Sequence, residues 1–169
     1  LQCTDIEKSE KVKRKREEKE EEEYREDFRL HTACKDGNFI IVQEYLQNLQ
    51  KVQESFPNSK SDKILNSKDL QGRTPFYCAC ENQRTEVVRL LLENENVDPN
   101  IPRKDGWTPL MHASARGYFD IVELMLVSGR EIDVNAQDPH GHRAIGLANL
   151  LGADDIVNLL INFIENLSH

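Results

Sequence analysis

Apolar residues recur at helical spacing in short blocks along the chain, and each block ends at a glycine or a polar turn. The clearest block runs from Asp105 to Asp138. Asp105-Gly106 is a turn signal, Thr108-Pro109 can cap and open a helix, and Gly117 lies where a left-handed residue usually ends one. A second helix follows between Asp120 and Gly129. The pattern predicts a turn, two helices and a return loop, a unit that cannot bury its apolar faces alone.

Copies of this unit lie on both sides of it. The upstream copy repeats four positions 34 residues earlier, Thr74 for Thr108, Ala79 for Ala113, Val88 for Val122 and Leu92 for Leu126. The downstream copy repeats three positions 35 residues later, in Ala148, Val157 and Ile161. A fainter copy upstream contains Leu30, His31 and Gly37. Stacked units of this kind bury one continuous core between them.

The segments Gly72-Arg73-Thr74-Pro75-Phe76 and Gly106-Trp107-Thr108-Pro109-Leu110 resemble the ankyrin-repeat family, whose unit of about 33 residues has a turn and two helices. The resemblance covers residues 28–166 and implies an all-α solenoid of about four helix-turn-helix repeats. It places them at residues 28–56, 69–100, 103–135 and 138–166, within a domain of residues 28–169. His31 matches the histidine of the family's TPLH motif, which implies a structural hydrogen bond and not a ligand role.

Two departures from the repeat are expected to change local structure. Helical spacing continues well past Leu46, so the second helix of the first repeat should be overlong. The segment from Phe56 to Asp62 then reads as a loop, within an insertion at about residues 47–66 that is either a binding loop or a tolerated surface addition. Gln83 stands where Gly117 stands one repeat later. If that turn is left-handed, Gln83 bears roughly 1 kcal/mol of strain.

The last helix, predicted from Asp154 to Leu167, is too apolar for the free end of a stack. Its polar residues form a narrow stripe, and large apolar residues spread over the remaining surface. These are Ile156, Leu159, Leu160, Phe163, Ile164 and Leu167, with Leu150 and Leu151 nearby. The pattern predicts that another chain, a further segment or a second copy covers this helix.

Residues 5–27 form a run of mixed charge without proline or glycine, and they predict a charged helical arm over residues 1–27. Two interpretations remain open, a solvated lead-in to the repeats or a helix docked on a partner. The basic run from Lys11 to Arg16 could also serve as a nuclear-import patch.

Composition excludes several classes of protein. The formal net charge of −8 disfavours a polyanionic partner. The sequence contains no run of about 20 apolar residues, so none of its segments is long and apolar enough to span a membrane. The polar, acidic first ten residues do not resemble a secretory signal. The four cysteines, at positions 3, 34, 78 and 80, fit neither a disulfide framework nor a zinc site. Cys34 and Cys80 are interpreted as packing residues, which favours a reducing compartment, in first place the cytoplasm.

No arrangement of residues indicates catalysis. The five histidines show no metal-binding spacing, and His140-Gly141-His142 is interpreted as a solvated turn. Neither a phosphate-binding glycine loop nor a nucleophile motif occurs. We therefore expect no enzyme activity, no metal and no cofactor.

The resemblance implies a protein-binding module that grips its partner with turn tips and the exposed side of each first helix. The corresponding positions are Leu70, Gln71, Arg73, Glu81, Asn82, Lys104, Trp107, Ala115, Arg116, His140, His142 and Leu150. Trp107 is the preferred anchor, unless its ring lies over the neighbouring turn. The mixed charge favours a folded protein over nucleic acid. The alternative is a structural subunit of a large assembly, docked through the charged arm and the apolar C-terminal helix.

Overall fold

A computed structural model describes residues 28–55 and 61–167, which form helices joined by turns and loops. Helix α1 covers residues 28–36 of this described part. The helices that follow are α2 (Phe39–Ser55), α3 (Ser61–Leu65), α4 (Pro75–Glu81), α5 (Thr85–Leu92), α6 (Pro109–Arg116), α7 (Phe119–Val127), α8 (Ala144–Leu150) and α9 (Asp154–Leu167). The described residues contain no strand. The all-α prediction is therefore confirmed. The predicted charged arm and Cys3 lie outside the described residues.

Eight of these helices form four pairs, which stack in sequence order. The first helices α4, α6 and α8 pack against one another, and the second helices α5, α7 and α9 form a parallel row. Helix α2 joins the second row through α5. One core runs through the stack, because each pair buries its apolar side against the next. The predicted repeat solenoid is present. In the described residues no helix is long and apolar enough to cross a membrane.

Threonine and proline begin the central repeats as the sequence predicts. The Thr74 Oγ1 accepts a hydrogen bond from the Tyr77 N–H at 3.1 Å, and the Thr108 Oγ1 accepts one from the Met111 N–H at 3.2 Å. Proline follows each threonine at the first helical turn, where its missing N–H costs nothing. The fourth repeat has Arg143 at this position, without a side-chain cap.

The turn between the two helices of a repeat is left-handed. Gly117 has a φ of 72°, and Gln83 in the preceding repeat has a φ of 56°. The expectation that Gln83 keeps the left-handed turn is confirmed. Because Gln83 has a Cβ atom, this conformation costs roughly 1 kcal/mol that glycine would not incur.

The first repeat differs from the others as predicted, except at its loop. Helix α2 has 17 residues, against eight in α5 and nine in α7, so the overlong second helix is confirmed. Residues 56–60 lie outside the described part. The loop prediction is wrong for residues 61 and 62, which begin helix α3. This short helix forms because Leu65, 2% exposed, anchors it in the core.

Buried polar groups connect the first repeat to the second. The His31 Nε2 lies 2.9 Å from the Arg73 carbonyl oxygen and 3.1 Å from that of Ser67. Its predicted structural role is confirmed.

Cys34 and Cys80 are fully buried, as expected of packing residues. Burial raises the pKa of Cys34 and Cys80 far above the usual thiol range, which keeps both protonated.

Arg130 links the third repeat to the second, which the sequence did not reveal. Its guanidinium donates hydrogen bonds to four backbone carbonyls, one at the last residue of α5 and three in the loop that follows. These belong to Leu92 at 3.1 Å, Asn94 at 2.6 Å, Glu95 at 3.1 Å and Val97 at 2.7 Å. The side chain therefore caps the helix of one repeat from the return loop of the next.

Candidate protein-interaction surface

Three equivalent turns, residues 69–73, 103–107 and 138–142, lead into the first helices α4, α6 and α8. In each turn the first residue donates its N–H to the carbonyl of the fifth, at 2.9, 3.0 and 3.1 Å. The glycine in fourth place donates to the carbonyl of the first. This shared geometry places the second and third residues at the tip. We call the three turns the turn row.

Aspartate is the first residue of the second-repeat and fourth-repeat turns, and its carboxylate accepts hydrogen bonds from backbone N–H groups of the same turn. The Asp69 Oδ1 accepts hydrogen bonds from the Gln71 and Arg73 N–H groups, both at 2.9 Å. The Asp138 Oδ1 accepts from the His142 N–H at 2.8 Å, and its Oδ2 lies 2.8 Å from the His142 Nδ1. Burial of Asp138 opposes ionisation, but these hydrogen bonds outweigh it and hold its pKa at about 2.

Arginine replaces this aspartate in the third-repeat turn and changes its surroundings. The Arg103 guanidinium lies 5.5 Å from the Trp107 ring centroid and 5.8 Å from that of Tyr77. Its Nη2 is 2.6 Å from Asp105 Oδ2, and its Nη1 is 3.7 Å from Glu81 Oε1. Arg103 thus connects two aromatic rings with two carboxylates of adjacent repeats.

Glu81 continues this arrangement into the second-repeat turn. The Arg73 Nη1 is 2.6 Å from Glu81 Oε2, and the Arg73 Nη2 is 2.8 Å from Asp69 Oδ2. The result is a chain of five charged side chains running from Asp69 to Asp105 across two repeats. We call it the ion-pair chain. The predicted binding residues Arg73 and Glu81 are members of it, with side chains only 20% and 21% exposed.

Successive turns touch each other closely. The Lys104 N–H donates to the Gln71 carbonyl at 3.1 Å. A Cβ atom on Gly72 would lie 2.9 Å from the Lys104 backbone nitrogen, and one on Gly106 would lie 2.5 Å from Pro139 Cδ. Glycine is therefore required in both turns for close approach. Between the first two turns lies a groove of about 440 Å³, lined by Leu70, Gln71, Arg103, Lys104 and Asp105.

Some of the predicted binding residues meet at this groove. Leu70 is 80% exposed beside it, and Gln71 and Lys104 are also exposed. Trp107 is half-buried, and its ring contacts Arg103 of its own turn. It therefore presents only part of its surface.

Other predicted residues lie elsewhere or offer little surface. Ala115 is 8% exposed, and half-buried Asn82 donates its side-chain N–H to the Cys78 carbonyl at 2.8 Å. Arg116 is exposed at the far end of α6. The remaining predicted residues are exposed in the fourth repeat, namely His140, His142 and Leu150. The structure therefore places the predicted residues along the first-helix side, with three of them at one groove.

An aromatic cluster of two buried rings, Tyr77 and His112, and two half-buried rings, Trp107 and Tyr118, lies beside the turn row, and the sequence did not reveal it. The His112 ring centroid is 5.7 Å from that of Tyr77 and 6.4 Å from those of Trp107 and Tyr118. Burial lowers the pKa of His112, which favours its neutral form. The cluster supports the Trp107 ring from the side of the core. Within the described ranges no group of three His, Cys, Asp or Glu side chains could hold a metal ion.

Comparison with known proteins points to one family. The family model described as ankyrin repeats (many copies) matches residues 30–92 and 78–126. The probable 26S proteasome regulatory subunit p28 of Saccharomyces cerevisiae is 30% identical over 125 residues, covering 72% of this chain and 49% of that protein. The ANK repeat-containing protein nipk-1 of Caenorhabditis elegans is 31% identical over 120 residues, covering 70% and 19% respectively.

A human ion channel also contains a similar segment. Transient receptor potential cation channel subfamily A member 1 of Homo sapiens is 27% identical over 134 residues, or 79% of this chain and 11% of the channel. The chain thus spans between about a tenth and a half of the length of these relatives.

Proposed function

Because the chain belongs to the ankyrin-repeat family, whose repeats are general protein-interaction modules, we propose that it is a non-catalytic adaptor or scaffold module. It binds its protein partner through the turn row and the first-helix side. The observation that carries this proposal is the groove between the first two turns, where exposed Leu70 and Lys104 flank a closely stacked backbone. An apolar side chain beside a hydrogen-bonding rim is typical of protein interfaces.

The test is a site-specific photo-crosslink in living cells. A benzophenone amino acid replaces Leu70 in one variant and Val127 in a matched control. The two side chains are 80% and 70% exposed, but Val127 ends α7 in the second-helix row. We expect a discrete crosslinked partner from position 70 and none from position 127. Equal capture at both positions, or capture at 127 alone, would refute the proposed surface.

A second candidate function is a structural subunit of a large assembly, docked through the C-terminal helix. The specific observation comes from equivalent positions in successive repeats. Val88 and Val122 are fully buried, and Leu92 and Leu126 are 5% and 6% exposed, under the next repeat. Their counterparts in α9 keep apolar side chains without that cover. Val157 is half-buried, and Ile161 is 39% exposed.

Further apolar residues enlarge this end of the stack. Leu150 and Leu151 are 76% and 62% exposed, and Leu167 is 66% exposed, while Phe163 and Ile164 are half-buried against the core. Two of the apolar positions, Val157 and Ile161, are equivalent to positions that receive the next helix pair elsewhere in the stack. We propose that another helix pair, stacked in the same register, covers α9. The yeast relative is named a regulatory subunit of the proteasome, which supports an assembly role as the second candidate.

Sedimentation in solution tests the second candidate. The Ile161→Glu and Leu167→Glu double variant should be more soluble than the wild type and lose any association at high concentration. Val127→Glu, at an apolar position that is 70% exposed on α7, is the control. A wild-type chain that remains monomeric and soluble at high concentration, and does not differ from the double variant, would contradict this role.

We further propose an intracellular location, in the cytoplasm. Support comes from the three buried free cysteines Cys34, Cys78 and Cys80, which suit a reducing compartment. Nuclear import through Lys11 to Arg16 is a separate proposal, and those residues lie outside the described part.

A further inference from the structure

Charge is divided between the two sides of the stack. The turns and first helices from the second repeat onward (residues 67–83, 101–117 and 136–151) contain six basic and four acidic residues. The second helices and return loops (residues 84–100, 118–135 and 152–167) contain three basic and eleven acidic residues. A chain with a formal charge of −8 thus has one side with a small positive excess.

The four acidic residues on the first-helix side are already used within the fold. The carboxylates of Asp69 and Asp138 accept backbone hydrogen bonds inside their turns. Asp105 receives the Arg103 guanidinium at 2.6 Å and the Trp107 N–H at 3.2 Å. Glu81 is held between two arginines in the ion-pair chain. These carboxylates therefore present little uncompensated negative charge to a partner.

Four of the six cations on the same side form no ion pair with a described residue, namely Lys68, Lys104, Arg116 and Arg143. Two of them belong to the third repeat and are exposed: Lys104 lies in the turn before the first helix, and Arg116 is the last residue of that helix. Helix α6, which ends at Arg116, has eight residues and is about 12 Å long. An extended peptide covers that length with roughly four residues. Leu70 lies beside Lys104 on the rim of the groove.

We propose that the turn row and α6 bind an extended acidic segment of the partner protein, with one apolar side chain in the groove beside Leu70. This proposal rests on the proposed interaction function and specifies the chemistry of the partner. Carboxylates of the segment pair with Lys104 and Arg116, whose charges no neighbour neutralises. The acidic second-helix side repels the same segment, which fixes the side on which it binds.

The test is an unbiased selection of displayed peptides on the full-length protein, followed by binding of a labelled selected peptide. We expect enrichment of sequences with several acidic residues around one large apolar residue. Lys104→Glu combined with Arg116→Glu should weaken binding about tenfold or more, because two attractions become repulsions. Raising the salt concentration should weaken wild-type binding as well.

The matched control is Lys63→Glu combined with Arg89→Glu, which makes the same change in net charge at exposed positions away from this surface. It should leave the affinity unchanged. Selection of neutral or basic peptides, selection of none, or equal loss in both double variants would overturn the inference. Tighter binding of a single-stranded oligonucleotide than of the acidic peptide would also overturn it. A partner crosslinked at position 70 in the same protein would leave the interaction function standing after such a result.

Discussion

Replacing Arg130 should destabilise the stack far more than an ordinary surface arginine, because its guanidinium binds four carbonyls of the preceding repeat. Three of these hydrogen bonds, to Leu92, Asn94 and Val97, are partly buried. The fourth, to Glu95, is exposed, and water can replace it. At a net value of roughly 1 kcal/mol each, the three partly buried bonds give about 2–4 kcal/mol. Arg130→Met removes the donors while it keeps an apolar stem of similar reach.

Urea unfolding followed by circular dichroism measures this effect. With a typical slope of about 1–3 kcal/mol per molar, the midpoint should fall by roughly 1 M or more. Arg130→Lys should lose a large part of the same stability, since one ammonium cannot reach the carbonyls as a fork does. Arg89→Ala is the control, because Arg89 is exposed and its Nε lies 4.0 Å from Glu86. A loss below about 0.5 kcal/mol in Arg130→Met would refute the reasoning.

Three further predictions concern the strained turn, the interaction surface and the carboxylate of the fourth-repeat turn. Gln83→Gly should leave the urea midpoint unchanged or raise it, because glycine relieves the left-handed strain at φ 56°, and a lower midpoint would contradict this. Trp107→Ala combined with Arg116→Ala should abolish binding of the partner crosslinked at position 70 and leave the circular-dichroism spectrum unchanged; unchanged affinity would move the site elsewhere. Asp138 has a folded pKa of about 2, below its ordinary value of 3.8, so its stabilisation is complete above about pH 4 and lost as pH falls towards 2. Asp138→Asn should therefore flatten the acid end of a stability profile measured by urea midpoints from pH 6 to pH 2, and an unchanged slope would contradict this assignment.

The repeat architecture could be predicted because its signals are local in the chain. Threonine before proline caps a helix within three residues, and glycine ends it within nine. Even the strained turn at Gln83 followed from its alignment with Gly117. Helix α3 was missed because its signal is a single buried residue, Leu65, in an insertion without a counterpart elsewhere in the chain.

Contacts between repeats could not be predicted with the same success, since they depend on side chains far apart in sequence. Arg130 reads as one more charged loop residue, and only the folded stack brings it to the carbonyls after α5. The buried position of His112 between three aromatic rings depends on two repeats at once. One sequence signal could have indicated this contact. Arg130 directly follows Gly129, at the point in the third repeat that corresponds to the loop just after α5 in the second.

The ion-pair chain shows why the surface predictions need this correction from the structure. From sequence, Arg73 and Glu81 occupy positions that commonly face a partner, and nothing in the sequence indicates that either charge is already paired. In the fold they neutralise each other at 2.6 Å, and Arg103 adds a second contact to Glu81 from the next repeat. A partner would have to break these contacts to use either charge, at a cost that exposed Lys104 and Arg116 do not impose. We therefore expect charge specificity on the proposed surface to rest with the cations that the fold leaves unpaired, and not with the larger number that the sequence contains.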